Sequence, residues 1–113
     1  MSLDVATAMR KGAPVFAALG DETRLRIIAK LSTGGPLSIT QITDGEQVTR
    51  QAITKHLGVL ADAGLVRDRR RGRERLWELD PGPLDTARSC LDAVAQAWNR
   101  RLARLEALVE DEP

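Results

Sequence analysis

Cysteine, histidine and aromatic side chains are nearly absent from this chain of 113 residues. Cys90 is the only cysteine, so no disulfide can close within the chain. That usage is compatible with a reducing cytosol. The aromatics are Phe16, Trp77 and Trp98, with no tyrosine. So few rings argue against base stacking, and hence against a module for single strands or RNA. No apolar run approaches the ~20 residues that span a bilayer, so no membrane partner is expected. The opening MSLDVATAMRKG has no cationic stretch before a long apolar core, and does not read as a signal peptide. Catalytic constellations are missing too. There is no Ser or Cys grouped with His and an acid, and no glycine-rich phosphate loop. The lone His56 stands beside Lys55 without an orienting partner. An enzyme is not expected, nor a cofactor.

What is present suits one compact domain over residues 1–113, with 42% hydrophobic residues to build a core. The net charge is only +1, but it is unevenly spread. Residues 50–75 hold eight basic and three acidic side chains, a local charge of +5. The rest of the chain holds nine basic and thirteen acidic, a charge of −4. A docked polyanion feels the local field, so the asymmetry outweighs the sum.

Along the chain, residues 3–11 predict a short helix with Leu3, Ala6 and Met9 on one side. Gly12 is expected to interrupt it and Pro14 to start the next turn. VFAAL (15–19) reads as buried. Asp21 is a good N-cap for ETRLRIIAKL, with Leu25, Ile28 and Leu31 on the inner face. The run Ser32 to Pro36 stops that helix. SITQITD (38–44) predicts a short helix capped by Ser38, with Ile39 and Ile42 inward and Gly45 at its end. Thr49 caps the next helix, which turns Ala52, Ile53, Leu57 and Leu60 to the core. Two short helices joined through a glycine-bearing turn make a helix-turn-helix over about 38–63. Leu65-Val66 begin a strand, Arg71-Gly72-Arg73 turn, and Leu76 to Leu79 return. This is a basic wing over about 65–79. The fold class is therefore mainly α with a two- or three-stranded β-wing.

A helix followed by a basic hairpin suits the DNA major groove and its flanking phosphates. Thr49 is expected to cap the helix and offer its hydroxyl to a phosphate. Arg50 and Gln51 occupy its first turn; Arg can bond guanine, and Gln adenine, in bidentate fashion. Thr54 lies one turn on and suits a thymine methyl or a base edge. Lys55 and His56 are placed for the backbone, His56 as a phosphate or packing contact. Strand alternation keeps all five wing arginines from reaching DNA together. Arg71 and Arg73, flanking Gly72 at the tip, are the expected contacts. Arg69, Arg70 and Arg75 are left to pair with Asp68, Glu74 and Glu78.

Residues 83–110 read as one helix on the order of 40 Å long, more than so small a domain needs. Leu84, Leu91, Trp98 and Leu105 are spaced by seven, and Ala95, Leu102 and Val109 form a second column. Val94 and Leu108 widen the stripe; Arg101 interrupts it. Such a seam predicts packing against a second copy, with Leu84, Leu91, Val94, Trp98, Leu102 and Leu105 on the dimer face.

Four segments in this order carry a family likeness. They are F-x-A-L-G-D-x-T-R-L-R-I (Phe16 to Ile27), T-R-Q-A-I-T-K-H-L (Thr49 to Leu57), A-G-L-V (Ala63 to Val66) and R-R-x-G-R-E (Arg69 to Glu74). Together they resemble the ArsR family of bacterial winged-helix repressors over roughly residues 15–80. The resemblance implies a dimeric, cytoplasmic, sequence-specific regulator of double-stranded DNA, usually repressing by blocking a promoter. Metal-sensing members carry Cys-x-Cys before the recognition helix, where this chain reads SITQITDGEQV. A second known site uses Asp and His pairs on the C-terminal helices. Residues 83–110 offer Asp85, Asp92 and Cys90 but no histidine. Soft metals need several thiolate or imidazole ligands, so no metal is expected and the effector is left open. The sequence looks like the branch without a metal site. Gly45-Glu46-Gln47 also departs from the Arg-Leu-Gly of many members. Two alternatives stand beside this reading: a winged helix that binds an acidic protein, and a thiol-responsive regulator acting through Cys90.

Overall fold

The computed structural model describes residues 4–110, ordered as eight elements. These are α1 (Val5–Leu19), α2 (Glu22–Gly34), β1 (Leu37–Ser38), α3 (Ile39–Thr43), α4 (Arg50–Asp62), β2 (Val66–Arg71), β3 (Glu74–Leu79) and α5 (Pro81–Glu110). The strands form one antiparallel sheet in the order β1-β3-β2. Helices α3 and α4 make the helix-turn-helix, β2 and β3 the wing, and α1 and α5 are the added terminal helices.

The first helix departs from expectation. It runs unbroken through Gly12 and Pro14. Gly12 is a contact point, where a Cβ would meet Phe16 at 3.0 Å and Cys90 at 3.2 Å. Its missing side chain lets α1 lie close against α5, and that packing offsets its weak helix propensity. Pro14 sits on the exposed side of α1. Pro14 removes the helical donor to the Arg10 carbonyl, and Arg10 is itself exposed. The buried face is Ala8, Gly12, Val15 and Ala18, while Ala6 and Met9 are exposed. Leu3 lies outside the described residues.

In α2 the inner face is Thr23, Ile27 and Leu31. Leu25 is 51% exposed and Ile28 only half-buried. The expected stripe was rotated because Thr23 goes inward at i−4 from Ile27, a choice that apolar spacing does not register. Asp21 caps the helix as expected, its Oδ2 accepting from the Arg24 N–H at 3.0 Å. That bond holds the Asp21 carboxyl below its ordinary range.

Ile27, Ile42, Ile53, Leu57, Leu60 and Leu65 are completely buried where α2, α3, α4 and the base of the wing meet. Burying each aliphatic side chain contributes about 1.5–3 kcal/mol. The helix α4 closes with the Leu65 N–H donating to Leu60 O and the Gly64 N–H to Ala61 O, both at 2.9 Å. This 6→1 and 5→2 pair turns the chain sharply into β2.

The last helix begins two residues earlier than the sequence suggests, at Pro81, and spans ~45 Å. Only Ala87 and Cys90 are buried along it. Leu84 packs on the domain's own core, so the exposed stripe begins at Leu91. The molecule measures 73 × 30 × 20 Å, with a radius of gyration of 19.2 Å. A compact chain of this length would have about 13 Å. The excess is the second half of α5, which extends beyond the body.

Candidate nucleic-acid interface

The short helix α3 is held by a reciprocal cap. Ser38 Oγ accepts from the Gln41 N–H at 3.2 Å, and Gln41 Oε1 accepts from the Ser38 N–H at 2.9 Å. The turn after it is pinned to α2. Glu46 Oε1 accepts from Arg26 Nε at 3.0 Å, and Glu46 Oε2 lies 3.0 Å from Lys30 Nζ. Lys30 also donates to the carbonyls of Ile42 at 2.7 Å and Asp44 at 2.8 Å. The hydrogen bond from Lys30, seconded by Arg26, holds the Glu46 carboxyl below the glutamate range despite its burial. The Gly45-Glu46-Gln47 departure thus supplies its own clamp.

Thr49 caps α4 as expected, its Oγ1 accepting from the Ala52 N–H at 3.0 Å. That bond uses an oxygen lone pair and leaves the hydroxyl proton free for an outside acceptor. Arg50, Gln51, Thr54 and Lys55 are all exposed on α4, while Ile53, Leu57 and Leu60 seal its other side. Thr54 Oγ1 donates back to Arg50 O at 3.0 Å, which leaves its methyl and its oxygen lone pairs to meet a partner. His56 makes the packing contact that was one of the two expectations. It is half-buried, with Nδ1 3.2 Å from Arg24 Nη1 and 3.9 Å from Asp21 Oδ2. The ring is a packing contact toward α2, because its place on α4 faces the α1–α2 corner.

The wing turn has two residues, Gly72 and Arg73, between the paired Arg71 and Glu74. Gly72 has φ +63° and Arg73 does not share that sign. A positive φ at the first central position alone is the type II′ pattern, which glycine fits best. The return strand begins at Glu74, two residues before the expected Leu76. Arginines divide by their distance from the tip. Arg67 and Arg69 both reach Glu78, at 3.1 and 3.3 Å. Arg75 bonds Asp68 at 2.7 Å and stacks 4.7 Å over the Trp77 ring. Among the described residues, Arg70, Arg71 and Arg73 have no carboxylate partner. Glu74, which faces Arg71 across the turn, likewise makes no ion pair among the described residues, so these three arginines and one glutamate leave a net positive tip.

An open cleft lies between wing and helices, lined by Ser38, Ile39, Thr40, Gln41, Arg50, Glu74 and Arg75. It brings the α3 cap, the first turn of α4 and the wing onto one surface. Thr40 and Arg70 were not singled out from the sequence. Thr40 carried no signal beyond its place beside the Ser38 cap. Arg70 was expected to pair with a carboxylate, and among the described residues it pairs with none.

The comparisons with known proteins agree with this geometry. A family described as a helix-turn-helix domain matches residues 19–69. The chain is 38% identical to the HTH-type transcriptional regulator Rv2034 of Mycobacterium tuberculosis, over 86% of this chain and 87% of that one. It is also 30% identical to the arsenical resistance operon repressor of Escherichia coli, over 86% of this chain and 80% of that one. The structure of an ArsR-like transcriptional regulator from Rhodococcus sp. RHA1 superposes with a TM-score of 0.76 at 35% identity. That match covers 91% of this chain and 96% of the other. The chain belongs to the ArsR family. It is thus a DNA-binding transcriptional regulator. In it, Cys90 is 1% exposed, sits in the α1–α5 contact and lies 3.3 Å from Met9 Sδ. That setting is a small residue's place in a core, not an accessible thiol. Among the described residues, no three His, Cys, Asp or Glu side chains gather as a set of metal ligands. No described helix is long and apolar enough to cross a membrane.

Proposed function

We propose that the chain is a single winged-helix domain acting as a cytoplasmic, homodimeric repressor of a near-palindromic promoter site. One observation carries the reading. Arg50 and Gln51 stand exposed on the first turn of a helix whose opposite side is sealed into the core, beside a wing tip where three arginines make no ion pair among the described residues. Base reading falls to Arg50 and Gln51, with Thr54 beside them. Backbone contact falls to Ser38, Thr49, Lys55 and the tip residues Arg71, Gly72 and Arg73. The exposed stripe Leu91, Val94, Trp98, Leu102 and Leu105 supports the dimer. An apolar face of that length on a lone, protruding helix is the signature of an unmet partner. Two-fold symmetry would set the recognition helices about one DNA turn apart, ~34 Å.

The test is a duplex selected by the protein from a random-sequence pool. Arg50→Ala and Gln51→Ala should each cost about 1–3 kcal/mol on the selected duplex and far less on random DNA. Arg71→Ala should weaken both duplexes alike and lower the salt slope by about one. Equal losses for Arg50→Ala on both duplexes would overturn base reading. A single copy in sedimentation at micromolar concentration would overturn the dimer.

A further inference from the structure

Arg24 touches three elements at once. It belongs to α2, and its guanidinium Nε donates to Ala18 O at the end of α1. Its Nη2 reaches Ala17 O at 3.5 Å. Its Nη1 lies 3.2 Å from His56 Nδ1 on α4. Arginine is suited to this, since its rigid planar fork holds several acceptors in one fixed geometry. A guanidinium only donates. His56 Nδ1 must therefore present its lone pair, which places the ring proton on Nε2. Asp21 Oδ2, at 3.9 Å, is too far from Nδ1 to compete for a hydrogen bond. On the other side of this contact, α1 lies against α5, where Gly12 meets Cys90.

We propose that Arg24 is a positioning residue: by bonding both α1 carbonyls and the imidazole of His56, it fixes the angle of α4 on the body. That angle aims Arg50 and Gln51, one and a half turns earlier on the same helix. The inference rests on the reading of α4 as the DNA-recognition helix. It adds that the helix is aimed by a polar contact to the α1–α2 corner as well as by apolar packing. It also places one end of that contact on the helix that lies along the protruding α5.

The single histidine makes the contact directly observable. In 15N spectra of the full-length, histidine-labelled protein at pH 8, Nδ1 should show the unprotonated acceptor signature and Nε2 the protonated one. Arg24→Lys keeps the charge but loses the fork, and should return the ring toward the tautomer mixture of free histidine. A spectrum unchanged by Arg24→Lys overturns the contact. On the duplex that wild-type protein selects from a random pool, Arg24→Lys and His56→Ala should each lose on the order of tenfold in affinity. The double variant should lose no more than either alone, as neighbours sharing one interaction do. Additive losses overturn the positioning role. Should Arg24→Lys fail to fold, His56→Ala leaves the α1 carbonyl contacts intact and carries the test. Full affinity in that variant overturns the proposal. A pool that yields no selected duplex instead overturns the reading of α4, while the histidine spectrum still decides the Arg24–His56 bond.

Discussion

Helices α4 and α5 carry apolar stripes of similar periodicity and meet opposite fates. In α4, Ile53, Leu57 and Leu60 are wholly buried. In α5, Leu91 and Trp98 are more than half exposed, and the stripe continues bare through Leu102, Leu105, Leu108 and Val109. Amphipathic spacing states that a helix has a face to cover and is silent on what covers it. For α4 the cover is the same chain. For the far half of α5 the described residues of the same chain supply none.

The sharpest way to break this contrast is in α4. Leu57→Ala should cost about 2–5 kcal/mol of unfolding free energy, measured by urea titration. A loss below about 0.5 kcal/mol would mean that the α4 stripe is no more committed than an exposed one. In α5 the loss should appear elsewhere. Trp98→Ala should raise the dimer dissociation constant by about thirtyfold, or about 2 kcal/mol. Helix content by circular dichroism should stay unchanged at concentrations where the wild type is associated. An unaltered dimer would move the interface off this stripe.

The smallest effect concerns polar seating, which α4 has and, among the described residues, the far half of α5 lacks. Glu46 clamps the turn before α4, and Glu46→Gln should cost about 1–1.5 kcal/mol at pH 7. The Glu46 carboxyl is held below its ordinary value of 4.5, so its stabilisation is present above that value. It is lost as pH falls through the lower folded value. The gap between wild type and Glu46→Gln, followed by urea titration, should therefore close as pH drops from 5 toward 3. A gap that stays constant over that range would show that the clamp acts through shape and not charge.

Much of the site was legible because caps and turns are local. Ser38 and Thr49 announce their helices through bonds to residues three positions on, and Gly72 announces the wing turn through its own backbone. The alternation of β2 and β3 limited how many arginines face one way. Register then decided the pairings, because Glu78 draws Arg67 and Arg69 while Asp68 draws Arg75. The partner of His56 was not legible because Arg24 is 32 positions away. Gly12 and Pro14 looked like breaks because propensity weighs a residue alone, whereas Gly12 leaves room for Cys90 of α5 against α1.

From its sequence this protein determined the order of its elements, their caps, the charge of its wing and the family to which it belongs. All of these rest on interactions within a few residues or on composition. Tertiary structure alone decided which side of α2 turned inward, which arginines kept their charge unpaired, and that α1 runs through a glycine and a proline. It also decided that half of α5 stands away from the body. Those outcomes depend on contacts between distant segments, where volume and charge must be satisfied in space and not along the chain.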